Sequence, residues 1–307
     1  MGAESSPKFW PLIHSILREI WAITEPHIEE AAIQQNIPME LYYYSELGLD
    51  VFSKQDFQKR DPYSNPEVFD KVFVTLNFKG WIELLPDEKY LVTEQAREAA
   101  RTIIQAGDRY LLAFESMATI NISRLAALLR QIVLANSVAS EPPQKWAILK
   151  RFHTAGTDSS SIVQVREHLM DLFAYRDDCH YAAAHPHFGR GGIIWLVLGA
   201  LWKNESVTAE QLVESMSFRG YEAQHYDVAL QAAVQIGWAE QTHLSGRYRI
   251  TSMGRELREQ TEQLTNRYFY GPWSVLTKNE LYELYNLLLK LKEQLDLFRK
   301  SKLTITS

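Results

Sequence analysis

The sequence predicts a mainly α-helical fold with small β-hairpin wings, and three observations predict it. One pattern occurs twice: Gly80-Trp81 followed by Tyr90-Leu91-Val92-Thr93, and Gly237-Trp238 followed by Tyr248-Arg249-Ile250-Thr251. The glycines lie 157 positions apart and the threonines 158, so the copies differ by one residue in the connecting loop. Outside these stretches the apolar residues recur at helical spacing. Each copy therefore reads as a helix ending at Gly, a strand, a turn, a returning strand and a helix capped by Thr.

The elements can be placed in order. Residues 8–34 share a face through Phe9, Leu12, Ile13, Ile16, Leu17, Ile20 and Trp21, and Pro26 and Pro38 punctuate the chain between this face and the next helix. Ser53-Lys54-Gln55-Asp56 is a helix start, with a Ser N-cap and an acid in the first turn. Arg60-Asp61-Pro62-Tyr63-Ser64-Asn65-Pro66 is a turn, and the next helix, from Pro66 to Lys79, directs Val68, Phe69, Val72, Leu76 and Phe78 largely inward. After the first hairpin, Thr93 caps a helix to about Ala106, and Asp108 to about Ala139 continues as an apolar helical insert. Ser140-Glu141-Pro142-Pro143 breaks it; a short helix over Lys145–Phe152 and a long one from Ser159 to about Ala184 come next. Gly189-Arg190-Gly191-Gly192 reads as a hinge, then Ile193–Trp202 as a buried helix. Thr208-Ala209-Glu210-Gln211 is a capping box. Phe218-Arg219-Gly220-Tyr221 is a turn, Glu222–Ile236 the next helix, and Ser245-Gly246 tips the second hairpin. The predicted architecture is thus two winged helix-turn-helix modules joined by a helical insert: 8–107, an insert over 108–190, 191–267, and a C-terminal packing or dimerisation helix in 268–307.

Bulk composition narrows the function. Hydrophobic residues at 46% and aromatics at 12% are those of a globular chain. A single cysteine, Cys179, excludes an internal disulfide framework and a Cys-rich zinc site and suits the reducing cytoplasm. The first residues lack the basic and apolar regions of a secretory signal. The most apolar run, Ile193–Trp202, is about half the length a membrane span needs, so no membrane partner is expected. The net charge of −6 and pI near 5.9 mean that any contact with nucleic acid must come from a local basic patch on an acidic body.

The second copy resembles the MarR-type winged-helix transcription regulators. The residues that carry the likeness are Gly237-Trp238, Tyr248-Arg249-Ile250-Thr251 and Met253-Gly254-Arg255-Glu256-Leu257. The stretch Leu276-Thr277-Lys278-Asn279-Glu280-Leu281, with Leu284, Leu287, Leu288 and Leu291, resembles the helix such proteins use to dimerise. The likeness covers about 190–300 and, more faintly, 50–106. It implies a cytoplasmic DNA-binding regulator acting on double-stranded DNA, with a small-molecule effector and a homodimer. Two copies on one chain depart from the family's single module, so a fused pair is the alternative to a dimer.

Candidate DNA contacts lie in the second copy: Gln224, His225 and Gln231 on the recognition helix, Arg219 in the turn before it, and Arg247 and Arg249 in the wing. Gln pairs with adenine in the major groove, and Arg grips phosphate. In the first copy, Lys59, Arg60, Asn65, Lys71 and Lys79 are available, but its wing, Leu84 to Lys89, is too acidic for a phosphate backbone. Ligand-binding candidates are Arg176, Asp177 and His180. The apolar stripe Ile162, Val165, Leu169, Leu172, Phe173 runs on into Arg176 and His180, one turn apart, and a charge on a buried stripe needs an anion or a carboxylate beside it. A metal site from His168, Asp171, His180, His185 and His187 lacks both HExxH and a Cys pair and is set aside. No Gly-rich phosphate loop, G-x-S-x-G or P-loop Lys is present, so neither enzyme chemistry nor a cofactor is expected. The competing reading is a ligand-binding or protein-interaction protein that keeps the fold without DNA contact.

Overall fold

The structure is a computed structural model and describes residues 9–47, 50–155, 159–188, 191–243 and 246–305; Ser245 and Gly189-Arg190 lie outside it. The described residues are mainly helical with two small antiparallel sheets. It opens with α1 (Phe9–Gln34), α2 (Glu40–Leu47), β1 (Val51–Phe52), α3 (Lys54–Arg60) and α4 (Pro66–Phe78), then the hairpin β2 (Ile82–Leu84) and β3 (Tyr90–Val92). Next come α5 (Glu94–Glu115), α6 (Ile122–Val138), α7 (Ala147–Lys150) and α8 (Ser161–Ala184). The rest comprises α9 (Gly192–Lys203), α10 (Ala209–Ser215), α11 (Ala223–Gln235), β4 (Ala239–Gln241), β5 (Tyr248–Ile250), α12 (Ser252–Tyr270) and α13 (Lys278–Ile305).

Two compact units form, each from separated pieces of chain. One takes Met1–Asp50, Val92–Asp178 and Tyr268–Ser307; the other takes Val51–Leu91 and Cys179–Arg267. Each unit gathers segments distant in sequence, because the apolar face of α1 meets those of α5 and α13 and these helices share one core.

In the first unit α1 buries Ile13, Ile16, Leu17 and Ile20 completely and packs on α5 and α13. Pro26 does not end α1 but sits inside it. Nor does α5 end near Ala106. It runs through Gly107, whose missing side chain brings α5 onto α1: a Cβ there would meet Ile28 at 2.9 Å and Thr24 at 3.1 Å. The break comes later, at Asn121, whose side chain accepts from the Arg124 N–H at 3.0 Å and starts α6. The apolar stripe of α13, with Leu284, Leu288, Leu291 and Leu295 wholly buried, packs on α1 and α6.

The second unit holds the second copy and the first as far as Leu91, and the two share several caps and terminal hydrogen bonds. Ser53 and Thr208 each close a capping box, with Asp56 and Gln211. The helices α4 and α11 are both 13 residues long. At their ends Gly80 (φ 75°) and Gly237 (φ 81°) are left-handed. Trp81 and Trp238 then donate back to Leu76 and Ala233, each across five residues. Ahead of each hairpin a short segment adds to it: β1 pairs with β3 (Phe52↔Tyr90), and Val207 bridges Tyr248. The copies differ on α4, where Phe78 is 90% exposed instead of inward. Phe69, Phe73 and Leu76 occupy the buried face, and helical spacing turns Val74 and Phe78 outward together.

Candidate nucleic-acid interface

The loops preceding α4 and α11 pack against each other within the second unit. The Asn65 N–H donates to the Arg219 carbonyl at 2.8 Å, and its side-chain amide donates to the Gly220 carbonyl at 3.0 Å. Arg219 binds Asp61 at 2.6 Å and Ser64 at 3.1 Å, and its guanidinium lies over the Tyr63 and Phe218 rings. Arg219, an expected phosphate contact, thus also bonds the two copies to each other. Asp61 lies in the first copy's turn, so only the folded chain brings it there.

On α11 the exposed side carries Gln224, His225, Val228, Gln231 and Gln235. Its start is fixed by His225, whose Nδ1 accepts from the Glu222 N–H at 3.2 Å. Gln231 donates to Asp227 at 2.7 Å, and the other oxygen of Asp227 accepts from the Tyr248 hydroxyl at 3.1 Å, which ties α11 to β5. Burial, then the neighbouring Asp227, raises the Tyr248 pKa from its ordinary value. On the wing, Arg249 faces Glu240 across the ladder at 2.6 Å, and Arg247 donates to Ser206 at 3.2 Å. Gln224, His225 and Gln231 thus share a helix face, Arg247 and Arg249 share the hairpin, and Arg219 is drawn away from both.

The expected ligand cluster is divided. Arg176 belongs to the first unit, where it is buried with its guanidinium 5.1 Å from the Trp10 ring and 5.3 Å from Phe269. Asp177 beside it is half-buried. Asp178, its neighbour, takes the backbone N–H groups of Trp146, Ala147 and Ile148 at 2.7–3.0 Å and so anchors the start of α7. His180 belongs to the second unit, with its Nδ1 3.4 Å from the Thr265 hydroxyl. His180 lines a cavity of about 540 Å³ with Trp195 and Arg258, two residues that sequence reasoning passed over. The available signal was the stripe Gly254, Arg258, Thr261, Thr265, which puts an arginine on a buried helix face. His168 reaches Asp171 at 3.7 Å, while His185 and His187 stack near Tyr181 and Trp195.

No curated protein and no solved structure matches the chain. Residues 163–296, a stretch that holds the second copy with α12 and most of α13, match the model of a helix-turn-helix family and so support a helix-turn-helix DNA-binding domain in this part of the chain.

Proposed function

We propose that the chain is a DNA-binding transcription regulator with two winged-helix modules on one polypeptide, the second of which contacts DNA. The observation that carries this reading is the repeated helix, turn, helix and hairpin, in which the capping boxes at Ser53 and Thr208 and the terminal hydrogen bonds at Gly80-Trp81 and Gly237-Trp238 coincide. The second copy lies inside the helix-turn-helix match. In this reading Gln224, His225 and Gln231 face base edges, and Arg247 and Arg249 contact phosphates on the wing.

The Glu240 partner of Arg249 makes the reading testable. Arg247→Ala and Arg249→Ala should each weaken binding to any duplex and reduce the slope of log affinity against log salt by about one. Glu240→Gln removes a carboxylate from the same surface and should tighten binding. Fluorescence anisotropy with duplex DNA across a salt series measures all three, and unchanged affinity and slope in all of them would remove the wing from any DNA interface.

A second reading, a protein-interaction role without DNA contact, is favoured by α4. Its outward face presents Val74 at 65% and Phe78 at 90% exposure, side chains that suit a protein surface better than a phosphate backbone. Loss of partner capture but intact DNA binding in Phe78→Ser would assign the two copies different tasks.

A further inference from the structure

The cavity in the second unit has the chemistry of a ligand site. Its volume of about 540 Å³ falls in the range of sites for small organic molecules. Three donors bordering it lack acceptors among the described residues: the Arg258 Nε, the Trp195 Nε1 and the Nε of Arg219, whose Nη1 already meets Asp61. Arg258 is 7% exposed, and Trp195 is 1% exposed.

No ion pair holds the Arg258 charge among the described residues. It lies 4.5 Å from the Trp195 ring and 5.3 Å from Trp202, stacking that fixes the guanidinium without filling its donor sites. Burial lowers its pKa, and Tyr63 and then Glu262, one turn on, raise it, yet an arginine stays charged in either case. A buried cation without a bonded partner is costly. The other buried ion pairs of the chain show what a merely structural arginine looks like: Arg151 meets both Glu167 and Asp171.

The rest of the lining says which ligand fits. No Asp or Glu borders the cavity among the described residues, and Arg219 on its wall is already committed to Asp61. Leu196, Val207, Leu212 and Met216 supply apolar wall. A buried cation without an ion pair among the described residues, one indole N–H and a wall that is apolar at Leu196, Val207, Leu212 and Met216 suit a negative charge on a hydrophobic body, while Lys203 and Ser206 add polar groups elsewhere on the lining. We infer that this cavity binds an organic carboxylate, its head on Arg258 and the Trp195 N–H and its apolar body along α9 and α10. The assignment does not depend on DNA binding, because the site is complete within one unit.

Isothermal titration of the full chain with naphthoate and octanoate, their neutral amides, and naphthyl phosphate tests it. The carboxylates should bind at least about tenfold more tightly than the amides, and Arg258→Met should erase that preference. Gly199→Leu provides a second variant. Gly199 lines the cavity, and a Cβ added there meets nothing within 4 Å, so the larger side chain can grow into the space and should weaken every probe about tenfold or more. Circular dichroism checks that each variant is folded, and Gly199→Leu carries the test if Arg258→Met is not. Equal affinity for acid and amide, no carboxylate binding, or binding unchanged in both variants would overturn the inference. Tighter binding of naphthyl phosphate than of naphthoate would overturn it too, in favour of a phosphorylated ligand.

Discussion

Asp171 has almost no exposed side-chain surface, yet it accepts from Arg151 Nε at 2.9 Å and lies 2.8 Å from His153 Nε2. Beside it Glu167 pairs with Arg151, accepts from the Thr154 and Ala155 N–H groups, and lies 3.2 Å from Arg166, which in turn reaches Asp108 at 3.1 Å. Burial alone would raise the Asp171 pKa, but bonds from His153 and His168 and the Arg151 charge outweigh it and hold the carboxyl far below its ordinary range. A depressed folded-state pKa means that Asp171 contributes its full stability above the unfolded value, near pH 4, and loses it as the pH falls further. Asp171→Asn should cost about 3–5 kcal/mol in urea denaturation near neutral pH, because it leaves Arg151 with a partner missing. It should also flatten the decline of stability in acid. A variant that loses stability between pH 5 and pH 2 as steeply as the wild type would assign that loss to other carboxylates.

At the scale of elements, three glycines that look alike in sequence should respond differently. Gly237 ends α11 in the left-handed region, and an added Cβ would meet only the flexible end of Met253, at 2.4 Å. Gly237→Ala should therefore cost about 1–2 kcal/mol, mostly backbone strain. Gly254, on the first turn of α12, lies against the backbone: its Cβ would be 2.2 Å from the Trp238 carbonyl oxygen. Gly254→Ala should push α12 off β4 and cost at least about 1–3 kcal/mol. In α9 nothing lies within 4 Å of a Cβ at Gly199, so Gly199→Ala should stabilise by up to about 1 kcal/mol. Thermal melts of the three variants give the order, and a stabilised Gly254→Ala would show that α12 does not press on the Trp238 carbonyl.

At the scale of the whole chain, the apolar stripe of α13 decides what association is needed. Left bare, Leu284, Leu288, Leu291 and Leu295 would require a second chain, which is why a homodimer is expected from the sequence. In the fold α1 and α6 cover them, and the cover is locked by Arg124 on Glu283 at 2.7 Å and Arg299 on Glu19 at 2.7 Å. Sedimentation equilibrium should accordingly give a monomer at micromolar concentration, and a dimer there would have to use another surface. Leu288→Asp should be strongly destabilising, because it buries a charge in an apolar seam.

The repeat, its caps and its hairpins were legible in the sequence because each depends on contacts within a few residues: Ser53 with Asp56, Thr208 with Gln211, Thr277 with Glu280, and glycine at 80 and 237. The exposed candidates on α11 were legible for the same reason, since helical periodicity alone turns Gln224 and Gln231 away from Tyr226 and Leu230. Tertiary structure decided the rest. Arg219, read from the sequence as a phosphate contact, meets Asp61, 158 residues earlier, at 2.6 Å. Arg176 and His180, one helical turn apart, went to different units because α8 passes from one core into the next. Arg258 drew no notice as one charge among several on α12, and became a candidate ligand contact only when Trp195 and Trp202 closed around it. Local sequence sets which way a side chain points on its own helix, but only the packing of distant segments sets whether a charge meets a partner, a ring or an empty space.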